Sequence, residues 1–276
     1  MSWKLNAANL CDDPGPILRT IFDPTIMRTV REYSGKARLC AGFTLNGNRT
    51  WAKDKWLPIH RDAVIWHRSW AQAVERTIID MRKNLWHVFD SAFMWGLSVK
   101  NLDPENGRGE DEIRGLFRLL KEFATWRWLD VAHRHKAHIF MIWDEGLLNE
   151  RDSSIVATMN KLSEETAQYT DDFKLAIGLA YDYNHEITRH IDQMRLWGEQ
   201  WSTEKLWEPA FQQSHKWLRY PDVAIRTGTD GNRTSWWLVG PNTELLYFRT
   251  YWPLFWPLLL RYAAYRRLRA KINDGK

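Results

Sequence analysis

Residues Tyr220 to Phe248 read YPDVAIRTGTDGNRTSWWLVGPNTELLYF, and this stretch decides the fold. An apolar, strand-like run from Val223 to Ile225 delivers Arg226 into a glycine-rich loop. The loop returns with Arg233, Thr234 and Ser235, and after a further apolar run come Glu244 and Leu245. Guanidiniums grip phosphate oxygens in pairs, so two arginines, a hydroxyl and loop amides converging on one point make a diphosphate clamp.

Outward from this segment, short apolar runs alternate with helical stretches. The pattern predicts strands at Arg38–Leu45, Val88–Leu97, His138–Trp143, Leu175–Tyr181, Val223–Arg226 and Trp236–Val239. It predicts helices at Trp66–Lys83, Glu110–Ala124, Ser153–Thr170, Glu186–Glu199, Thr203–Leu218 and Leu254–Lys271. Such alternation builds βαβ units, hence one α/β domain with a mostly parallel central sheet flanked by helices on both faces. Residues 37–276 are assigned to this domain and residues 1–36, with their turn formers Asp12-Asp13-Pro14-Gly15-Pro16, to an N-terminal extension. Ligands of these sheets bind beyond the carboxyl ends of the strands. Asn46, Ser98, Asn184 and Arg226 all fall at such ends. The polar stretch Asp103–Asp111 reads as a mobile loop.

Composition narrows the setting. The chain has 276 residues, 44% of them hydrophobic and 26% charged, as expected of a globular protein with a substantial core. Two cysteines, Cys11 and Cys40, make neither a disulfide framework nor a CxxC site, and no secretory leader opens the sequence, so a cytoplasmic location is expected. No apolar run reaches the roughly 18 residues a membrane span requires. The net charge of +5 suits an anionic substrate. Arg261, Arg266, Arg267, Arg269 and Lys271 end the last helix, where they complement its dipole or make at most peripheral membrane contact. Nucleic-acid modules have no signature here. The AHRHKAH run (residues 132–138) lacks a Cys, Asp or Glu at ligand spacing, and His185-Glu186 with His190 misses the HExxH step by one residue. Eighteen tryptophans are the outlier; most must be core or interface anchors, and several could wall a cavity that steadies carbocations.

The Tyr220–Phe248 stretch resembles the last signature of the cis-prenyltransferases, the undecaprenyl diphosphate synthase-like family, whose pattern is P-D-L-L-I-R-T-x-G, then R-x-S and E-L. Four further blocks agree in order. The family's D-G-N-G-R-W-A stands here as Asn46-Gly47-Asn48-Arg49-Thr50-Trp51-Ala52, and its G-H as Trp66-His67. Its F-S-T-E-N-W-x-R stands as Leu97-Ser98-Val99-Lys100-Asn101-Leu102-Asp103-Pro104, and its N-Y-G-G-R-x-E-I as Ala180 to Ile187. The resemblance implies a prenyl diphosphate substrate, Mg²⁺ and a homodimer. It assigns Arg226, Arg233, Ser235, Asn48 and Arg49 to diphosphate binding, Glu244 to the metal, and Asn46, His67, Ser98 and Asn101 to the catalytic centre.

The departures matter as much. The Asp that supports Mg²⁺ is Asn46, which brings no charge to a hard dication. The arginine that grips the allylic diphosphate aligns with Thr50, the one after N-W with Pro104, the one before the histidine with Ala63 (Arg61 standing near), and the one in Y-G-G-R with Asn184. The allylic site is thus stripped of charge while the second diphosphate clamp survives. The expectation is an isoprenoid (terpene) synthase that ionises one C10–C20 prenyl diphosphate and cyclises or rearranges it. The alternatives are condensation of two prenyl diphosphates, regular or irregular, and a silent subunit of a heteromeric enzyme. Against the last, the chain ends Asn273-Asp274-Gly275-Lys276 without the R-x-G such subunits carry.

Overall fold

The structure of the chain, a computed structural model, describes residues 38–44, 63–103, 108–180, 219–228, 242–248 and 257–274, with a few isolated helical or turn positions near residues 24–32 and 188–198. The predicted strand Trp236–Val239 and helix Thr203–Leu218 lie outside the described residues.

Six strands form one parallel sheet. They are β1 (Leu39–Thr44), β2 (Phe89–Trp95), β3 (His138–Trp143), β4 (Lys174–Leu179), β5 (Val223–Thr227) and β6 (Glu244–Phe248), in the order β3-β4-β2-β1-β5-β6. β1, LCAGFT, is buried at every position, which is why it reads as an unbroken apolar run and not as an alternating one. Helix α1 (Ala63–Asn84) follows β1, and α2 (Glu110–Glu122) follows β2 after a short 3-10 turn at Val99–Leu102. α2 runs through a π-helical segment, Phe123–Trp128, into α3 (Leu129–His135). Helix α4 (Glu145–Thr166) joins β3 to β4, and α5 (Pro257–Asp274) ends the described chain.

The chain visits β2, β3 and β4 on one side of β1, then crosses to place β5 and β6 on the other. β1 is therefore the point where strand order reverses, and the crevice above its carboxyl end is the default ligand site of an open parallel sheet.

Burial separates the two faces. Leu39, Ala41, Phe43, Ala92, Met94, Ile139, Leu175, Val223 and Ile225 share the larger core with α1, α2 and α3, and Val30 from the N-terminal segment is buried in the same core. Phe93, Phe140, Ile142, Ala176 and Ala224 form the opposite face with Trp95 and Leu245 against them. Of the tryptophans, Trp70 and Trp128 are core residues that meet edge to face at 6.3 Å, whereas Trp126 is 73% exposed. The π-helical register explains this last pair: one extra residue per turn keeps Phe123, Ala124 and Trp128 inward and turns Trp126 out.

The amino end of the sheet is closed by ion pairs. Asp222 accepts from the Cys40 backbone N–H at 2.9 Å and faces Arg219 and Arg267. Arg266 holds Glu244 at 2.9 Å. Two arginines of the basic C-terminal cluster are thus turned inward onto the sheet.

Candidate active site

The carboxyl ends of four neighbouring strands set the floor. Thr44 of β1 is the register partner of both Trp95 on β2 and Arg226 on β5, and Arg226 is the partner of Tyr247 on β6. Register partners in a sheet project from the same face, so Trp95, Thr44, Arg226 and Tyr247 make a row across that face. It is the face of the smaller cluster, because Arg226 shares the parity of Ala224. The Arg226 side chain is only 6% exposed. A guanidinium so placed is a strong receptor for an anion, since charge attraction is weakly screened there.

Just beyond Arg226 the backbone turns sharply. Gly228 takes φ 134°, a conformation that side chains rarely adopt, and the Tyr247 hydroxyl donates to its carbonyl at 2.7 Å. β6 therefore pins the start of the glycine-rich loop. Arg233 and Ser235 of that loop, and Asn46, Asn48 and Arg49 after β1, lie outside the described residues.

The other side of the rim carries His67. It lies in the second turn of α1, is 3% exposed, and faces Glu112 and Arg108 at the start of α2. Its Nε2 stands 3.4 Å from Glu112 Oε1 and 3.3 Å from Arg108 Nη1, and Arg108 Nη1 donates to Glu112 Oε1 at 2.6 Å. Arg108 thus places a guanidinium beside His67. Pro104 aligns with the family's arginine, and Arg108 stands four residues further along the chain. Gly109 caps α2, and the first turn carries Glu110, Asp111 and Glu112, which suit the positive end of the helix. Residues Glu110 and Asp111 are therefore helical and not part of a mobile loop. An Arg-x-x-x-Glu step at a helix start was the available signal for this pair.

Ser98, half-buried, precedes the 3-10 turn that contains Asn101, directly above β2. The link between β2 and this turn is tight: Gly96 and Leu97 both donate to the Gly178 carbonyl, at 3.0 and 3.1 Å. At the neighbouring end of β4, Ala180 holds φ 49°, left-handed backbone that a non-glycine residue adopts at a cost.

Glu244 is placed differently from the other candidates. It opens β6 beside Val223, three residues or about 10 Å along the strand from the level of Arg226. Its carboxylate is engaged by Arg266, so within one chain it does not fit a Mg²⁺ ligand beside the Arg226 clamp. No group of three or more His, Cys, Asp or Glu side chains suited to a metal stands together among the described residues. The histidines of the AHRHKAH run have other partners: His138 contacts Thr170 and Ser163, and His133 contacts Tyr169. No described helix is long and apolar enough to cross a membrane.

The comparisons agree with this architecture. The family model for undecaprenyl diphosphate synthase matches residues 44–267. Among solved structures, the chain is similar to the lavandulyl diphosphate synthase from Lavandula x intermedia, crystallised in complex with dimethylallyl diphosphate. The two share 17% identity at a TM-score of 0.68, over 86% of this chain and 96% of the other. No curated protein sequence matches. With the family signature spanning β1 to α5 on the expected parallel sheet, this chain belongs to the undecaprenyl diphosphate synthase family of cis-prenyltransferase-fold proteins.

Proposed function

We propose that this protein joins two prenyl diphosphates, one ionised at the His67–Arg108 side of the rim and the other held at the Arg226 side. The observation that carries the reading is a pair of buried or part-buried guanidiniums, Arg226 near the carboxyl end of β5 and Arg108 beside His67 just before α2. The allylic C–O bond breaks with its electron pair on the departing diphosphate, which the cationic rim stabilises. The double bond of the second substrate attacks the allylic cation, and the resulting cation loses a proton. His67 and Ser98 are the candidate proton acceptor and relay, and burial keeps water from the cation. Arg233, Ser235, Asn48 and Arg49 complete the proposed diphosphate contacts, with Asn46 and Asn101 at the catalytic centre.

Members of this family typically use Mg²⁺, which would neutralise diphosphate charge. Asn46 supplies at most a neutral oxygen and Glu244 is engaged elsewhere, so no step here is routed through the ion. The neighbour's dimethylallyl diphosphate makes a C5 allylic diphosphate the first candidate substrate. A second reading, cyclisation of one C10–C20 prenyl diphosphate, is favoured by Asn46 and Thr50 in place of the family's Asp and Arg.

The test is incubation of purified protein with C5, C10, C15 and C20 allylic diphosphates, with and without isopentenyl diphosphate, and with Mg²⁺ or EDTA. Products are dephosphorylated and read by gas chromatography–mass spectrometry. A longer or branched prenyl alcohol supports condensation. A cyclic hydrocarbon from a single diphosphate replaces it with the second reading, and no turnover of any substrate refutes both.

A further inference from the structure

The amino end of the sheet holds a second concave site, with chemistry of its own. A cavity of about 230 Å³ opens there, lined by Arg38, Asp90, Ser91, Lys174 and Arg219, with Thr170 and Asp171 of the turn before β4. Ser91 on β2 and Lys174 on β4 are register partners, so their side chains stand side by side on one face. It is the face that carries Phe93 and Ala176 further along. Trp95 of the rim row lies on the same face, four residues or about 13 Å along β2 from Ser91. The cavity and the rim therefore sit at opposite ends of one sheet face. Every lining side chain of the cavity is polar, which suits no hydrocarbon tail. Its volume also falls below the roughly 300–1,000 Å³ of sites for larger organic ligands. The occupant is small and hydrophilic.

Charge decides its sign. Arg219 is already committed: it pairs with Asp90 at 3.2 Å and with Asp222 at 3.4 Å, and it donates to the Arg38 carbonyl. Asp90 also accepts from the Ser91 hydroxyl at 2.6 Å. Asp172, next along the chain, pairs with Arg82 at 3.6 Å. Among the described residues, no carboxylate pairs with exposed Arg38 or half-buried Lys174. Burial holds the Arg82 guanidinium below its ordinary value, and the like charge of Arg38 presses it the same way against the pull of Asp172. Arg38 thus stands near a second guanidinium as well as near Lys174. Arginine and lysine can only donate, so the cavity has donors and positive charge in excess. Asp171, the remaining carboxylate of the lining, is exposed, and solvent screens its charge.

We propose that this cavity binds a phosphate dianion, free or as the end of a small ester, between Lys174 and Arg38. Lys174 supplies a compact charge and Arg38 a planar fork of donors. The anion relieves the crowding of like charges. It also ties the amino end of β4 to that of β1 across β2, which lies between them, so it stabilises the folded chain as its concentration rises.

The site is read by ¹⁵N–¹H amide spectra of the full-length protein during a titration with inorganic phosphate, with sodium chloride adjusted to hold ionic strength constant. Saturating shifts are expected at the Arg38, Ser91, Asp171 and Lys174 amides, and those of Thr44 and Trp95 report on the rim. Lys174→Met should weaken the binding about tenfold and Arg38→Gln severalfold, each with an unchanged or raised melting temperature in the absence of phosphate. Asp171→Asn should tighten it severalfold. Phosphate should raise the melting temperature of the wild type and leave that of Lys174→Met level. Arg38 is exposed, so its variant carries the test should the β4 substitution unfold the chain. Glycerol phosphate, run in parallel, separates the sources: equal affinity assigns the site to phosphate esters, and exclusion assigns it to the free anion. Shifts confined to the rim amides would overturn the site. So would shifts that grow without saturating, which report ionic screening alone, and amino-end shifts that the folded variants retain at full affinity.

Discussion

Replacing Arg226 with methionine is the sharpest test of the rim as an anion site. The side chain is 6% exposed at the penultimate position of β5. Methionine keeps most of the apolar stem and removes only the fork of donors. A hydrogen bond to a charged group is worth roughly 1.5–3 kcal/mol, so loss of a two-pronged grip removes about 3–6 kcal/mol. At ~1.4 kcal/mol per factor of ten, kcat/KM should fall by about 10²–10⁴. Diphosphate affinity measured by calorimetry should fall with it. A thermal melt run alongside separates loss of the anion grip from any loss of fold stability that follows from removing a buried charge. Arg226→Lys should fall between the two, since an ammonium keeps the charge and forfeits the planar fork. The assay pairs steady-state kinetics on the active prenyl diphosphate with a thermal melt. A methionine variant within threefold of wild type in kcat/KM and in diphosphate affinity, with a native melt, would refute the placement of the anion at β5.

Gly96→Ala should lower stability by about 1–3 kcal/mol, because the new methyl would stand 3.1 Å from the Gly178 carbonyl oxygen and 3.4 Å from both Leu179 and Trp70. A urea midpoint that does not move would show the β2–β4 ends to be more yielding than this packing implies. Asp152 breaks α4 and caps its second half, accepting from the Ser154 N–H at 3.0 Å and from Lys121 Nζ at 2.7 Å. Asp152→Ala should cost about 1–2 kcal/mol. The Lys121 and Ser154 hydrogen bonds hold the Asp152 carboxyl below its ordinary value. Its contribution is therefore present above the unfolded carboxylate range and lost as pH falls through the lower folded value, so the wild-type and alanine stabilities should converge in acid. Denaturation curves at pH 7 and pH 3 that differ by the same amount would contradict this. The Cys40 thiol is fully buried and pushed up to about 12, chiefly by desolvation, so in a Cys11→Ser background it should resist an aromatic disulfide reagent at pH 8 until the protein is unfolded. Prompt reaction of the native protein would place Cys40 nearer to solvent than the fold does.

Most of the sheet was legible because parallel strands buried on both faces are uninterrupted apolar words in the sequence. His138–Trp143 has the predicted bounds, and β1, β2, β4 and β5 depart from theirs by a few residues at most. β6 escaped because ELLYF begins with a charged residue that interrupts the apolar run. Its glutamate points to Arg266 at the sheet's edge, a partner that no local pattern reveals. α4 was expected to start at Ser153 and instead starts at Glu145, capped by the Asp144 side chain. The Asp152–Ser154 signal was nevertheless real, for it caps the second half of the kinked helix. α2 was expected to stop at Ala124; the apolar spacing of Trp128, Val131 and Ala132 carries helix on to His135. At the site, Arg226 and His67 were visible as motif residues. Arg108 and Glu112 were not, because an alignment read residue by residue assigns an arginine to its column, whereas the fold assigns it to whatever neighbour its long side chain can reach.

The order of the strands also fixes when the rim can exist. β1 lies between β2 and β5, yet Asp222, which accepts from the Cys40 N–H, is 182 residues away along the chain. On a ribosome, β1 to β4 can assemble as a four-stranded sheet long before β5 is synthesised, and until then β1 is an open edge. Closing so long a loop carries an entropic cost that nearby contacts do not share. Pulse-labelled hydrogen exchange should therefore find the β5 and β6 amides protected last, and simultaneous protection of all six strands would exclude this order. Arg226 therefore joins a sheet whose first four strands can already be in place, so a nascent chain can hold much of its core before it can touch a substrate.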